Sequence, residues 1–172
     1  AETGTIPVKT NATEIYKTVQ IINVPKIPIG KSLWGFFVSS AAVDLAINIL
    51  GDLSTAHILV VGAGHMSELT ARHLLDKGAK TICVSNRHHE RAVELAEKFS
   101  GIAIPYHEMF EHAADADIII TSTGAPHYVL DASNLGALLP QRNGRPLVLI
   151  DIAVPRDVDP DLADVPGVTI YN

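Results

Sequence analysis

The 172-residue sequence predicts an α/β protein built on a doubly wound parallel sheet with the strand order 3-2-1-4-5-6. From residue 56 onward, short apolar segments alternate with amphipathic segments of helical length, which is typical of repeated β-α units. Several apolar segments are continuous rather than alternating, as in strands that are buried on both faces of a parallel sheet. Right-handed crossovers then place helices on both faces of that sheet.

The elements follow one another along this part of the chain. Strands are predicted at residues 57–61, 80–85, 101–105, 116–122, 146–153 and 168–172. Helices are predicted at residues 67–78, 89–99, near 107–114 and around 132–139. Gly78 suits the left-handed cap that ends the first of these helices.

The beginning of the chain differs from this pattern. Residues 1–38 are predicted to be an N-terminal segment to which the sequence assigns no role, followed by a nucleotide-binding domain at 39–172. Residues 39–51 have helical spacing and lead into the first strand. Residues 18–37 are apolar and rich in proline and glycine, so extended segments or an edge hairpin are expected there.

Composition excludes several classes of function. A net charge of -6 argues against a general nucleic-acid binder, because there is no broad positive field to attract phosphates. No apolar run reaches the roughly 18 residues of a membrane span, and no signal peptide is apparent, so a cytoplasmic protein is expected. Cys83 lies in a predicted strand, where a packed thiol is expected rather than a nucleophile. His107 and His112 are five residues apart and do not share a helix face, so no metal site is expected.

The segment "ILVVGAGHMSEL" (58–69) predicts a dinucleotide site, because a strand runs into a glycine turn and then into a helix. Gly62 would permit the tight turn, and Gly64 would let a pyrophosphate approach the backbone. The helix that begins near His65 or Met66 would point its free N–H groups at the phosphates. Ser67 replaces the third glycine of G-x-G-x-x-G; it costs little space in helix packing and could also donate its hydroxyl to a phosphate.

The end of the second strand predicts which dinucleotide binds. An NAD site usually has an acid there, whereas this chain has Ser85, Asn86 and Arg87. These residues favour the 2′-phosphate of NADP, and Arg91 could add charge one helical turn later. The fourth strand ends in "TSTGAP" (121–126) and the fifth in "DIAVPR" (151–156); either could line the nicotinamide half or simply form a turn.

Acidic residues near the fifth strand suggest structural roles. Asp151 ends a buried strand, where capping or a hydrogen bond to the following loop is expected rather than acid–base chemistry. The acidic stretch "DVDPDLAD" (157–164) is predicted to be a solvated helix start.

The glycine turn, "STGAP" and "LIDIAVPRDVDP" (149–160) together resemble the NADPH-binding Rossmann domain of glutamyl-tRNA reductase, over about residues 39–172. The resemblance implies reduction of glutamyl-tRNA to glutamate-1-semialdehyde, which opens a route to tetrapyrroles. It also implies that a cysteine on a separate N-terminal domain forms a thioester, and that a C-terminal domain forms a homodimer. This chain alone is therefore expected to bind NADP(H) without turnover, and no catalytic residue is assigned to it.

The resemblance also implies three groups of cofactor-binding residues. The phosphate turn would comprise Gly62, Ala63, Gly64, His65, Met66 and Ser67, the adenosine end Ser85, Asn86 and Arg87, and the nicotinamide side Thr123 and Gly124. The family commonly has an acid and a glycine where this chain has His65 and Ser67, a departure that bears on cofactor affinity.

Two alternatives stay open from the sequence. Another NADP-dependent dehydrogenase, of the shikimate dehydrogenase type, would need a catalytic lysine and aspartate upstream, and Lys26 and Lys31 lie in no convincing context. A non-catalytic NADP-binding regulatory module would be a complete product, whereas a reductase domain predicts a longer gene with a cysteine-bearing N-terminal extension.

Overall fold

The structure is a computed structural model and describes residues 31–172. Its helices are α1 (Lys31–Leu50), α2 (His65–Asp76), α3 (His89–Glu97) and α4 (Met109–Asp115). Its strands are β1 (His57–Val61), β2 (Thr81–Ser85), β3 (Ile102–Ile104), β4 (Ile118–Thr121), β5 (Leu147–Asp151) and β6 (Val168–Tyr171). Short 3-10 helices span Tyr106–Glu108, Leu139–Arg142 and Pro160–Asp164.

The six strands form one parallel sheet with the order β3-β2-β1-β4-β5-β6, so the predicted fold class and strand order are confirmed. Strand β1 lies between β2 and β4, with Ile58 opposite Ile82 on one side and Ile118 on the other. The chain leaves β1 toward β2 and returns later to β4, so the strand order reverses beside β1. A crevice opens at such a reversal, outside the carboxyl ends of the strands.

Alternating residues of the central strands face two separate cores. Ile58 and Val60 pack in the cluster that includes α1, α2 and α3. Leu59 and Val61 pack in the opposite cluster, with α4 and the loops near the second half of the chain. Both faces of β1 are therefore buried, which explains why its sequence is a continuous apolar run rather than an alternating one.

Helix α1 begins earlier than the sequence predicts. The expected extended structure is wrong for residues 31–37, which are helical, while residues 18–30 lie outside the described part of the chain. The prolines Pro25 and Pro28 precede Gly30, and no proline follows until after α1. From Lys31 onward every residue of the helix therefore has the amide donor that a helix needs. None of the helices described is long and apolar enough to cross a membrane.

The helix predicted around 132–139 is also wrong, because residues 132–138 form successive turns. The Asp131 carboxylate accepts from the backbone N–H groups of Ser133 and Asn134 at 2.8 and 3.1 Å. Such local bonds compete with the helical hydrogen-bond ladder. At Gly136, a Cβ would lie 2.3 Å from the Ala132 carbonyl oxygen, a contact that only glycine avoids. The other strands and helices from residue 57 onward agree with their predicted bounds to within two residues.

Candidate dinucleotide-binding site

A cavity of about 430 Å³ lies at the carboxyl ends of β1, β2 and β4, where the strand order reverses. Seven of the predicted site residues line it: Gly62, Ala63, Gly64, Asn86, Arg87, Thr123 and Gly124. The other four, His65, Met66, Ser67 and Ser85, are not part of its lining. The structure therefore brings together residues from three predicted groups that are far apart in the sequence.

Gly62 holds the turn after β1 against both neighbouring strands. Its φ of +101° lies in the region that favours glycine, and its N–H donates to the Ser85 carbonyl oxygen at 2.9 Å. A Cβ on Gly62 would lie 2.4 Å from the Ser122 carbonyl oxygen. The backbone conformation and the close contact with the loop after β4 both require glycine here.

Gly64 is unlike Gly62, because nothing in the described structure requires it to be glycine. Its φ is -90°, and a Cβ at this position would have the Ser122 hydroxyl oxygen as its nearest neighbour, at 3.8 Å. Gly64 is the N-cap of α2, and no side chain caps this helix. The first N–H groups of a helix lack intrahelical partners and attract anions. The missing Cβ keeps this end of α2 open to the cavity, which fits a phosphate group.

Ser67 lies on α2, is fully buried, and its hydroxyl oxygen has no hydrogen-bond partner in the described part of the chain. It therefore packs beneath the helix rather than facing the cavity, which favours the packing role over the phosphate contact. His65 is exposed and begins α2, as the sequence predicts. The departure from the third glycine changes the helix packing more than the cavity.

We expect Ser67→Ala to raise the free energy of unfolding by about 1 kcal/mol, because a buried hydroxyl without a partner keeps its desolvation cost. Urea denaturation of the 172-residue chain would measure the change. Unchanged or lower stability would contradict the packing role, since it would mean that the hydroxyl makes a compensating bond.

Basic side chains from the turn after β2 and from the first turn of α3 border the cavity. Arg87, His88 and Arg91, called here the basic rim, line the cavity and are exposed. Neither arginine forms an ion pair with an acidic side chain within residues 31–172. The Asn86 side-chain oxygen accepts from the His88 N–H at 2.8 Å and so shapes this turn. The basic rim leaves its charge available to an anion.

Ser85 contributes to the site through its backbone. Its side chain is fully buried, and its hydroxyl oxygen has no partner among the described residues. Its carbonyl oxygen accepts from Gly62, which joins the end of β2 to the glycine turn. Ser85 therefore positions the turn and does not face the cavity.

The loop after β4 is held by a buried carboxylate that the sequence prediction missed. Thr123 donates its N–H to one oxygen of Asp157 at 2.7 Å and its hydroxyl to the other at 2.5 Å. Asp157 is fully buried, so the solvated helix start predicted for 157–164 is wrong at this residue; the 3-10 helix begins only at Pro160. Burial raises the pKa of Asp157, the nearby Asp151 adds to that rise, and the bonds from Thr123 oppose it.

The structure confirms the prediction that Asp151 bonds to the loop that follows β5. Its carboxylate accepts from the N–H groups of Ala153, Asp157 and Val158 at 3.0, 3.1 and 3.0 Å. It also accepts from the Thr121 hydroxyl at 3.1 Å. Asp151 therefore ties the ends of β4 and β5 to the loop that contains Asp157.

Three further lining residues lie outside the segments that the sequence predicted for the site: His88, Tyr106 and Val129. Tyr106 directly follows Pro105 at the end of β3, so the rule that ligands bind at the carboxyl ends of strands could have indicated it. His88 lies three residues after the end of β2, so the same rule applies to it. Nothing in the sequence distinguishes Val129 from other buried apolar residues.

The described part of the chain offers neither a metal site nor a reactive thiol. It contains no group of three or more His, Cys, Asp or Glu side chains that could hold a metal. Cys83 is half-buried on β2, and burial raises the pKa of its thiol, which disfavours the nucleophilic thiolate.

Comparison with known proteins supplies the family. The family model described as shikimate / quinate 5-dehydrogenase matches residues 44–172, three quarters of the chain. The chain belongs to the shikimate / quinate 5-dehydrogenase family. The match covers β1 to β6 and the whole cavity lining.

Glutamyl-tRNA reductases match this chain at higher identity than shikimate dehydrogenase does. The glutamyl-tRNA reductase of Trichlorobacter lovleyi is 50% identical over 135 residues, which are 78% of this chain and 31% of that protein. The solved glutamyl-tRNA reductase of Methanopyrus kandleri is 40% identical with a TM-score of 0.73, over 77% of this chain and 34% of that chain. The solved shikimate 5-dehydrogenase of Thermus thermophilus, in complex with NADP(H) and shikimate, is 25% identical with a TM-score of 0.52, over 77% of this chain and 49% of that one.

These comparisons confirm the resemblance to a domain of glutamyl-tRNA reductase. The comparisons favour a reductase domain over the shikimate dehydrogenase alternative. The reductases are 50% and 40% identical to this chain, whereas the shikimate dehydrogenase is 25% identical. The chain spans about 31% of the length of the curated relatives that it matches.

Proposed function

We propose that the chain is the NADP(H)-binding domain of a glutamyl-tRNA reductase. The observation that carries this proposal is the combination, in one cavity, of the uncapped N-terminus of α2 and the basic rim, whose arginines form no ion pair within residues 31–172. A dinucleotide with a 2′-phosphate has anionic groups at both of these positions, because its pyrophosphate and its ribose phosphate are separated by the adenosine ribose. NADP(H) is therefore the cofactor that fits the charges best.

The glycine turn supports the pyrophosphate half of this proposal. Gly62 sets the turn, Gly64 leaves space for the phosphates, and the first N–H groups of α2 would donate to them. Ala63 would lie against the same group. In this proposal His65, Met66 and Ser67 contribute their helical backbone and not their side chains.

The turn after β2 supports NADP over NAD. This turn carries no acidic side chain that would accept from free ribose hydroxyls and repel a phosphate. Arg87 can offer paired N–H donors to the 2′-phosphate, and Arg91 and His88 lie in the same cavity. The NADP(H) complex of the Thermus thermophilus relative agrees with this choice.

Thr123 and Gly124 would border the nicotinamide half at the end of β4. When bound, NADPH supplies hydride, and in the proposed enzyme the acceptor is a thioester that a cysteine on another domain forms with the glutamyl group. The product, glutamate-1-semialdehyde, enters tetrapyrrole synthesis. The homodimer, the domain bounds at residues 39–172 and the cytoplasmic location remain predictions.

Arg87→Ala tests the proposed cofactor site directly. Losing a charge-assisted phosphate contact should cost about 1.5–3 kcal/mol, or roughly 10- to 150-fold in affinity. We therefore expect calorimetric titration to show tighter binding of NADPH than of NADH, with the preference lost in Arg87→Ala and NADH affinity little changed. Arg72→Ala is the matched control, because it removes an arginine from the surface of α2 outside the cavity lining.

Two outcomes would contradict parts of the proposal. Equal binding of NADPH and NADH by the wild-type chain would reject the NADP assignment. Binding of neither cofactor at millimolar concentration would reject the cofactor-binding function of this chain. Glutamyl-tRNA-dependent oxidation of NADPH by the full-length protein would test the reaction itself.

A further inference from the structure

We infer that Asp157 is a positioning residue that holds the nicotinamide side of the cavity in its binding shape without touching the cofactor. This inference rests on the proposed function. Asp157 does not line the cavity, whereas its partner Thr123 does. The two residues are 34 positions apart and belong to different loops, one after β4 and one after β5.

The carboxylate of Asp157 fixes the position of Thr123. Its two carboxylate oxygens accept the N–H and the hydroxyl of Thr123, so both donors of that residue are engaged. The Thr123 hydroxyl oxygen in turn accepts from the Ala125 N–H at 3.1 Å. Thr123 and Ala125 both line the cavity, so the shape of this wall depends on the carboxylate behind it.

The backbone of Asp157 holds the other end of the same loop. Its carbonyl oxygen accepts from the N–H groups of Val129 and Leu130 at 2.6 and 3.0 Å. Its own N–H donates to Asp151 at 3.1 Å. Both ends of the segment 123–130 are therefore hydrogen-bonded to Asp157, and Asp157 is hydrogen-bonded to Asp151 at the end of β5.

Gly124 lies between the hydrogen-bonded residues Thr123 and Ala125, and the space next to its Cα is empty. A Cβ there would meet nothing within 4 Å, and the residue is exposed in the cavity lining. The loop presents backbone toward the cavity at this point. Its position relative to a bound nicotinamide would follow from the Asp157 bonds, since Gly124 has no side chain to anchor it.

The stability of the fold alone does not explain why residue 157 is an aspartate. Burial raises the pKa of Asp157, so burying the ionised carboxylate costs free energy, which the bonds from Thr123 partly offset. A carboxylate nevertheless matches two donors from one residue, because an ionised carboxylate has acceptors only. An asparagine oxygen could accept from only one of the two donors of Thr123; with its NH2 group facing the hydroxyl, that hydroxyl would have to accept instead of donating, and the charge on the acceptor would be lost.

The test is to compare two ligands on Asp157→Asn in the 172-residue chain. NADPH occupies both halves of the proposed site, whereas adenosine 2′,5′-bisphosphate occupies only the adenosine half. We expect Asp157→Asn to weaken NADPH binding roughly tenfold and to leave the affinity for adenosine 2′,5′-bisphosphate unchanged. Asp159→Asn is the matched control, because its carboxylate accepts from the Asp161 N–H outside the cavity lining, and both affinities should stay at the wild-type values.

A second variant keeps the inference testable if Asp157→Asn does not fold. Thr123→Val removes the hydroxyl donor and leaves the carboxylate in place, and it should produce the same selective loss of NADPH binding. If both variants fold, their effects should not add in the double variant, because Asp157 acts through Thr123.

The outcomes separate this inference from the proposed function. If the wild-type chain binds both ligands but Asp157→Asn weakens both equally or neither, Asp157 does not position the nicotinamide side and the inference is overturned. Additive effects in the double variant would also overturn it. If the wild-type chain binds neither ligand, the proposed function fails, and this inference fails with it.

Discussion

Gly62→Ala should lower the free energy of unfolding by roughly 3 kcal/mol or more, the combined effect of backbone strain and a steric clash. The new Cβ would lie 2.4 Å from the Ser122 carbonyl oxygen and 2.8 Å from its carbonyl carbon. Both are backbone atoms at the end of β4, so they cannot move aside as a flexible side chain could. Urea denaturation followed by circular dichroism would measure the loss.

Gly78→Ala is the control that separates strain from clash. Gly78 has a similar φ of +99°, but a Cβ there would meet nothing within 4 Å. Alanine should therefore cost only about 1 kcal/mol at this position. If Gly62→Ala cost no more than Gly78→Ala, the turn after β1 would be able to move away from β4, contrary to the tight contact between Gly62 and the Ser122 backbone.

Gly64→Ala completes the comparison within the same turn. Its Cβ would have ordinary contacts only, so the protein should fold, with a loss of about 1 kcal/mol because alanine is a poorer N-cap than glycine. The added methyl group would nevertheless fill space beside the N-terminus of α2. Loss of NADPH binding by the folded variant would therefore support the proposed phosphate site, whereas unchanged binding would argue that the phosphates bind elsewhere.

The second large effect is expected for Arg142→Met, which should destabilise the chain by about 3 kcal/mol. The Arg142 guanidinium is buried and donates to three backbone carbonyls: Ala114 at 2.7 Å, Ala116 at 2.5 Å and Pro146 at 2.7 Å. Methionine has a similar length but no donor, so these carbonyls would lose their partner. The expected destabilisation is smaller than the loss of three separate hydrogen bonds would suggest, because burying the charged guanidinium already costs the wild-type protein free energy. The same burial lowers the pKa of Arg142.

Arg145→Met is the matched control for this prediction. Arg145 also bonds near the end of α4, to the Asp115 carbonyl oxygen at 3.0 Å and the Asp117 carboxylate at 2.6 Å, but its side chain is 49% exposed. An exposed pair of this kind contributes about 1 kcal/mol or less. Equal destabilisation by the two substitutions, measured by denaturant unfolding, would show that burial of Arg142 does not strengthen its role.

Only some of the site residues could be predicted from the sequence. The glycine turn and the basic residues after β2 could be identified, because the carboxyl ends of parallel strands meet at one edge of the sheet. The buried state of Asp157 could not, since its side chain depends on Thr123, 34 residues earlier. Seen alone, "DVDPDLAD" has the composition of an exposed acidic segment.

The same contrast applies to the fold. The sequence by itself determined the six strands and their order, because strand burial appears as local apolar runs and because crossover handedness leaves few topologies. Only the tertiary structure decided how the loops after β4 and β5 are fastened, and which of the predicted site residues lie outside the cavity lining. The physical reason is that periodicity records which face of an element is buried, whereas a hydrogen bond between loops depends on two distant segments meeting at a few ångströms.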